Sequence, residues 1–488
     1  MKTKNISILI LSFILLSFVP NFARADYYGQ RNNFFVDYNF GILKVSQVSA
    51  TLQNNNSSAI SYYFDDQFWN TKTDSEKKEI NLILDSLSSE FELNIYPRLT
   101  TTFGNEANPG IDKEKNIIVL FYPMIDKANG YVRNIDGYEK TVIPESNQRE
   151  MIYLNTKIID SPILKSFLSH EFMHLIELNQ KELRTGDPEE VWLNELRAEY
   201  APTLLGYNIP TDDNSYLKSR VETFLNKPYD SLIDWHNDVS DYGTIFMFGH
   251  YLVDQYGIDI LSDSLRLSQK TGIDSINDAL KRKGINDTFD SIFKNWIVAS
   301  YLNDCSANTR YCYKDNNLID FHIIPFSNFM PFSGESSLSI NQTLSNWSAH
   351  WQKFNGANKT LKLQFDGKNQ KEIGVIYVIR DYSGKYEVKE LVFDNNMKGE
   401  IVIPNMGIDK SSIMLMPFVG GDSKSEYFYS ITASTINPAD TELSNNTENN
   451  IKLPFSIDKP LNQMNREELL IVLLKVIIYL VSQGKLTF

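Results

Sequence analysis

The stretch His170-Glu171-Phe172-Met173-His174 has the pattern H-E-x-x-H, in which two histidines are separated by one turn of a helix. Positions i and i+4 lie on the same face of a helix, so both imidazoles can reach one metal ion. Glu171 projects about 100° further round the helix than His170. Its carboxylate then lies beside the ion, where it can take a proton from bound water. The motif predicts a helix that carries a zinc site and a general base.

The surroundings of the motif favour this interpretation over a chance match. Histidine is rare, with 6 in 488 residues, yet two of the six stand at the required spacing. Ser161 and Pro162 are typical of a helix start, as N-cap and first helical residue. Apolar residues on both sides of the motif then predict that this helix is buried.

A second helix is predicted shortly after the first one. Asp187 and Pro188 resemble an N-cap and a first helical residue, and Glu190 is placed to close a capping box. The predicted helix contains Glu195 and weakens at Pro202.

The short connection around residues 183–186 predicts that the two helices are antiparallel neighbours. Glu195 can then face His170 and His174 as a third metal ligand. Glu199 lies one turn further along the same face. It suits the carboxylate that fixes the second ring nitrogen of a ligating histidine.

Taken together, H-E-F-M-H and the sequence W-L-N-E-L-R-A-E-Y at 192–200 resemble the gluzincin metallopeptidases, and among them the hyicolysin family of bacterial enzymes. The resemblance covers roughly residues 75–260, about one catalytic domain. It implies His170, His174 and Glu195 as zinc ligands and Glu171 as general base and acid. Leu196 is a departure, because many gluzincins have glycine directly after the third ligand. The other stretches that carry the resemblance are 95–97, 102–104, 117–121, 150–156 and 242–243.

The resemblance also implies a residue that stabilises the oxyanion from a downstream helix. Tyr242 is the first candidate for this role, and His250 on the same predicted helix is the second. The alternative is an ordinary amphipathic helix in which Tyr242 only packs against its neighbours.

A strand is predicted at 150–156, just before the metal helix. By the same resemblance it is the sheet edge that pairs with an extended substrate peptide; the alternative is an internal strand. Aminopeptidase-N-like enzymes carry a G-x-M-E-N element in this region. The chain has Arg149-Glu150-Met151-Ile152-Tyr153 there, which favours an endopeptidase.

The N-terminus has the features of an export signal over residues 1–25: two lysines, an apolar run of about 14 residues and an A-x-A site. Cys305 and Cys312, the only two cysteines, stand close together in a polar loop and predict a disulfide, in agreement with export. The net charge of −14 argues against nucleic acid or an anionic membrane as the main partner.

The composition is that of a folded chain, and its length predicts two or more domains. Residues 26–60 form a lead segment that is a pro-segment, a strand or a linker. The next predicted part is a metallopeptidase domain (61–312), with a helix at 75–92 and a mostly helical stretch from 187 to 304. A connector (313–336), a β-sandwich domain of unknown ligand (337–434) and a flexible linker (435–463) follow it. The last predicted part is a C-terminal apolar or amphipathic helix (464–488) for self-association or surface attachment.

The predicted fold is thus an α+β zincin-like catalytic domain, with a mixed sheet, an active-site helix and a helical C-terminal subdomain, followed by an all-β sandwich. The predicted function is a secreted or cell-surface zinc metallopeptidase, an endopeptidase with one zinc ion per chain, acting on protein or peptide substrates and not on nucleic acid. The alternative is an exported, non-catalytic binding or adhesion protein on the same scaffold. A hydrolase of a non-peptide bond is a third option, and the sequence leaves calcium binding open.

Overall fold

The computed structural model describes residues 26–207, 216–421 and 426–436, together with positions 473 and 475. The predicted export signal, nearly all of the predicted linker and the predicted C-terminal helix, apart from those two positions, lie outside the described residues. Within the described ranges, no helix is long and apolar enough to cross a membrane.

A six-stranded mixed sheet forms the first part of the fold. Its strands are β1 (Arg31–Phe35), β2 (Gln47–Asn54), β3 (Ile60–Asp65), β4 (Ile117–Tyr122), β5 (Gly130–Tyr131) and β6 (Met151–Asn155). The spatial order is β1-β2-β3-β4-β6-β5, with β3, β4 and β6 parallel and the other pairs antiparallel. Every residue of β4 and β6 is buried, because the sheet has a hydrophobic core on each face.

The predicted lead segment, residues 26–60, belongs to this sheet. β1 and β2 continue the sheet outward from β3, and Phe34, Val48 and Leu52 are buried in one of its two cores. Of the three alternatives for this segment, the structure supports a packed strand. Residues on both sides of the predicted boundary at residue 61 therefore belong to one sheet.

Ten α-helices are described. They are α1 (Asp66–Asn70), α2 (Asp74–Glu90), α3 (Tyr96–Phe103), α4 (Leu164–Glu177), α5 (Val191–Leu204), α6 (Tyr216–Asn226), α7 (Val239–Tyr256), α8 (Asp259–Arg266), α9 (Gly272–Arg282) and α10 (Phe289–Leu302). α2 confirms the helix predicted at 75–92 and begins with a capping box between Thr73 and Glu76. α5 to α10 confirm the mostly helical stretch that was predicted from 187 to 304.

After α10 the chain forms an all-β region. Its strands are β7 (Phe326–Met330), β8 (Ser337–Ser345), β9 (Gln352–Gly356), β10 (Lys359–Asp366), β11 (Ile373–Asp381), β12 (Tyr386–Glu390), β13 (Lys398–Met406), β14 (Lys410–Val419) and β15 (Glu426–Ile436). They fall into two groups, β12-β11-β14-β9-β7 and β13-β10-β15-β8, which are joined where Met406 pairs with Lys410. Side chains of both groups share one hydrophobic core, as in a sandwich.

The predicted connector at 313–336 does not separate two independent domains. It contains β7, which pairs with β9, and the β region packs directly on the helices. The Trp347 ring lies 4.9 Å from that of Phe289, and the Trp351 indole N–H donates to the Ile297 carbonyl at 3.1 Å. The helical and β regions therefore share one core. The predicted disulfide between Cys305 and Cys312 is present in the loop after α10.

Candidate metal centre

The first two ligand candidates lie one turn apart on α4. The helix begins at Leu164, two residues later than a Ser161 cap predicts, and its N-cap, Ile163, makes no side-chain cap. Ser161 and Pro162 belong to a turn instead, in which the Ile163 N–H donates to the Ser161 hydroxyl at 3.4 Å. The predicted cap is therefore wrong. The predicted helix and its buried setting are confirmed, since most of α4 is inaccessible to solvent.

The third ligand candidate, Glu195, lies on α5, which packs against α4. α5 begins at Val191 and not directly after Asp187, so the predicted Asp187 cap is wrong. Glu190 is the N-cap residue, but its carboxylate accepts from the Trp192 indole at 2.6 Å instead of closing a capping box. A buried indole N–H requires an acceptor. The helix also continues through Pro202, near its end.

His170, His174 and Glu195 converge. The two Nε2 atoms are 3.2 Å apart, Glu195 Oε2 is 3.4 Å from His170 Nε2, and Glu195 Oε1 is 3.8 Å from His174 Nε2. One ligand atom from each residue lies within 4.8 Å of the other two. This grouping was predicted from helix periodicity, and the packing of α5 on α4 supplies the third side chain.

A further layer of polar groups lies beside the two imidazoles. In the described chain His174 is hydrogen-bonded to this layer, whereas His170 Nδ1 is buried next to it without a hydrogen-bond partner. His174 Nδ1 lies 2.5 Å from Asn194 Oδ1, and His170 Nδ1 lies 3.6 Å from Glu199 Oε1. Glu199 in turn accepts two hydrogen bonds from Arg220, at 2.8 and 2.7 Å. Such partners hold a ring in the orientation that aims its other nitrogen at an ion.

Glu171 is buried beside the converging atoms and faces the sheet edge. Within the described chain, Glu171 Oε2 and Glu195 Oε2 are buried without a hydrogen-bond partner. A methyl group built on Gly130 of β5 would lie 2.8 Å from Glu171 Oε1, so only glycine leaves this space open. Buried acceptors that have no donor carry a free-energy penalty. A cation beside them would remove it.

The sheet edge next to the site is β5, not the strand predicted at 150–156. β6 lies between β4 and β5, and Leu154 pairs with Gly130 and Tyr153 with Tyr131. The prediction that 150–156 is the edge is therefore wrong, and the alternative of an internal strand holds. β5 was missed because two residues are too short for an alternating pattern.

Tyr242 and His250, the two candidates for stabilising the oxyanion, have different surroundings. Tyr242 lies in the first turn of α7, and its ring contacts Arg220, whose guanidinium carbon is 4.7 Å from the ring centre. His250 is placed differently: its Nε2 is 3.1 Å from the Thr203 hydroxyl and its Nδ1 is 3.5 Å from Asp315. The structure thus links Tyr242, through Arg220, to Glu199. The polar contacts of His250 are with Thr203 and Asp315 instead.

The electrostatics of the cluster follow from burial and from the mutual charges. Burial raises the pKa of Glu171 to about 8. Burial lowers the pKa of His170, but the nearby carboxylates of Glu195, Glu171 and Glu199 outweigh this and raise it to about 9. Burial also raises the pKa of Tyr242, and the charges of Glu195 and Glu199 add to the rise. Burial is thus the largest cause of the rise for Glu171 and Tyr242, and the neighbouring carboxylates add to it.

A buried ionic network joins the end of α4 to the start of α5. Arg197 Nη1 lies 3.0 Å from Glu177 Oε1 and 2.9 Å from Glu189 Oε2, and all three side chains are almost fully inaccessible. Breaking such a pair by removing one partner is strongly destabilising, because a buried charge is left alone. The network therefore fixes the relative position of the two helices that carry the site.

Asn194, Arg220 and Gly130 are site residues that sequence reasoning missed. Asn194 stands next to Glu195, but a position adjacent to a ligand does not by itself indicate a contact. Arg220 reaches Glu199 only because α6 packs near α5, and Gly130 reaches Glu171 only because β5 pairs with β6. No sequence pattern encodes either approach.

A curated sequence matches part of the chain. The chain is 27% identical over 187 residues to the neutral metalloprotease ShpI of Staphylococcus hyicus, a match that covers 34% of this chain and 41% of that protein. The chain thus matches about two fifths of the length of this relative. This partial match supports a relationship between this part of the chain and metallopeptidases, and no more than that. No protein-family model matches the chain.

Two solved structures that match cover about a fifth of the chain each. The pre-peptidase C-terminal domain of collagenase from Bacillus anthracis has 16% identity and a TM-score of 0.17, covering 22% of this chain and 96% of its own. The lysozyme inhibitor PliG of Aeromonas hydrophila has 9% identity and a TM-score of 0.17, covering 23% of this chain and 100% of its own.

Proposed function

We propose that this protein is a secreted zinc metallopeptidase that cleaves internal peptide bonds of protein or peptide substrates. The convergence of His170, His174 and Glu195, with Glu171 buried beside them, is the observation that carries the proposal. The partial similarity to a neutral metalloprotease supports it.

The residues present fit zinc. Catalytic zinc sites use three nitrogen and oxygen ligands from the protein and keep a further position open, whereas structural sites usually have four ligands, often with cysteine. Both cysteines of this chain are joined to each other in a loop. His170, His174 and Glu195 would hold the ion, which acidifies water and polarises the scissile carbonyl when bound.

Glu171 is the proposed proton carrier. Its buried carboxylate takes the proton from the attacking water and then delivers it to the nitrogen of the leaving amine. Tyr242 is proposed to donate its hydroxyl proton in a hydrogen bond to the carbonyl oxygen as negative charge develops there. Arg220, which contacts the Tyr242 ring and binds Glu199, positions both.

Substrate is proposed to bind along β5. This strand lies at the end of the spatial order, so one of its sides is available for pairing with an extended peptide. Gly130 keeps the space between this edge and Glu171 open. The stretch Gly130-Tyr131-Val132-Arg133-Asn134, which contains β5, lacks the Met and Glu of a G-x-M-E-N element, which favours an endopeptidase over an aminopeptidase.

The proposal is tested by measuring zinc content and casein cleavage on protein that lacks residues 1–25. We expect one zinc ion per chain and cleavage that a chelator abolishes. Zinc without cleavage of casein or of a mixed peptide library would favour the alternative of a binding protein. Protein that folds but binds no zinc would overturn the metal assignment.

The endopeptidase assignment has its own test, in which one cleaved peptide is compared with its N-acetylated form. We expect equal rates, because an endopeptidase does not need the free amino group. Loss of cleavage on acetylation would show an aminopeptidase instead.

A further inference from the structure

A second group of acidic side chains lies in the loop before α7 and in the first turn of that helix. One carboxylate oxygen from each of Asp230, Asp238 and Asp241 lies within 4.8 Å of the other two. Asp230 and Asp241 are buried, and Asp238 is exposed. Aspartate is almost never fully buried unless it is paired, so this group requires a physical explanation.

Helix capping explains only two of the six carboxylate oxygens. Asp238 is the N-cap of α7, and its Oδ1 accepts from the Ser240 N–H at 2.9 Å. Asp241 Oδ2 accepts from the backbone N–H groups of His236 and Asp238, at 3.0 and 2.9 Å. In the described chain, however, Asp241 Oδ1 and Asp230 Oδ2 are buried and have no hydrogen-bond partner.

Lys227 compensates one of the three negative charges. Its Nζ lies 2.8 Å from Asp230 Oδ1 and 4.0 Å from Asp238 Oδ2. Burial raises the pKa of Asp241, and the charges of Asp230 and Asp238 add to the rise. The group therefore carries a net charge of −2, which one divalent cation would neutralise.

We propose that Asp230, Asp238 and Asp241 form a calcium site. The donors are all carboxylate oxygens, which hard cations prefer, whereas zinc prefers sites with nitrogen or sulfur. Calcium also tolerates an irregular ligand arrangement completed by backbone carbonyls and water. The exposed Asp238 leaves one side of the group open to solvent. This inference does not depend on the proposed peptidase activity.

The position of the group indicates what the cation does. Asp241 immediately precedes Tyr242, whose ring packs edge-on against Trp235 at 5.0 Å between ring centres. The same loop is bonded to the β region, since the Ser231 hydroxyl donates to the Asn346 carbonyl at 2.7 Å. A cation here ties the start of α7 to its preceding loop, at the junction of the helical and β regions.

The test is a titration of zinc-loaded protein with Ca²⁺ alone, followed by calorimetry and by the thermal unfolding temperature. We expect one saturable site with a dissociation constant on the order of 10⁻⁴–10⁻³ M, the range of extracellular calcium modules. The unfolding temperature rises with calcium concentration, because the ion binds only the folded chain. Absence of a saturable heat and of a rise at about 10 mM Ca²⁺ would overturn the proposal.

Three variants locate the site. Asp241→Asn is expected to weaken binding at least about tenfold, because the number of charged ligands sets calcium affinity. Lys227→Met is expected to strengthen it at least about threefold, since it removes a positive charge close to two ligands. It is informative even if Asp241→Asn does not fold. Asp234→Asn, a half-exposed acid of the same loop, is the matched control and should bind like the parent.

If Asp234→Asn weakens binding as much as Asp241→Asn, or if Lys227→Met does not strengthen it, the site lies elsewhere and the assignment fails. Glu171→Gln is expected to bind calcium like the parent. Failure of the calcium proposal can therefore be distinguished from failure of the peptidase proposal.

Discussion

The His–Glu centre and the acidic loop before α7 hold their side chains in different ways. His170, His174 and Glu195 project from the interiors of two packed helices, whose backbone hydrogen bonds are complete without them. Asp238 and Asp241 lie at a helix start, and one carboxylate oxygen of each accepts hydrogen bonds from backbone N–H groups. The helix-built centre should therefore keep its geometry whether or not its ion is bound. The loop-built group should depend on its ion for order.

The largest expected effect that separates the two is the loss of the general base. Glu171→Gln removes the proton acceptor but keeps the size of the side chain, so peptide cleavage should fall roughly 10²–10⁴-fold. Zinc content and unfolding temperature should stay close to those of the parent. Steady-state kinetics with a quenched peptide, together with metal analysis, check this. Cleavage at the parent rate would remove Glu171 from the mechanism.

An intermediate effect, on zinc affinity, is expected from Glu199, which lies beside the proposed ligand His170. Glu199→Gln leaves Arg220 without its carboxylate partner and weakens the orientation of the His170 ring. Zinc affinity should fall roughly 10–100-fold, as for other outer partners of zinc-ligating histidines. Competition with a zinc-binding indicator measures it.

The matched control is Glu222→Gln, an exposed glutamate on α6, the helix that carries Arg220. Its zinc affinity should equal that of the parent. Equal affinities in all three proteins would mean that packing alone orients His170.

The smallest of the three effects concerns the space between the sheet edge and Glu171. Gly130→Ala places a methyl group within 2.8 Å of Glu171 Oε1 and 2.9 Å of Leu154 Cδ2, so one of them must move. We expect kcat/KM to fall about tenfold, since a misplacement of about 1 Å at a reacting group can cost up to about 100-fold. Gly41→Ala is the control, because its methyl group would meet its nearest neighbour, Tyr122, at 3.4 Å. An unchanged kcat/KM in Gly130→Ala would show that this edge does not serve the reaction.

The helix ends show where local sequence rules gave way to tertiary contacts. Glu190 has the spacing of a capping box, but the buried Trp192 indole takes its carboxylate. Ser161 and Pro162 have the composition of a helix start and form a turn instead. In both places a local preference worth about 1 kcal/mol competes with burial terms of the same size or larger. The periodic interior of each helix was predicted correctly, because many residues contribute to it.

The sequence by itself determined that His170 and His174 share a helix face and that a disulfide joins Cys305 to Cys312. Each of these follows from spacing along one helix or one loop, which the covalent chain fixes. The tertiary structure alone decided that β5 is the sheet edge beside Glu171, that Arg220 holds Glu199, and that Asp230, Asp238 and Asp241 meet. These contacts depend on how separate elements pack, and packing is set by the whole core and not by any local pattern.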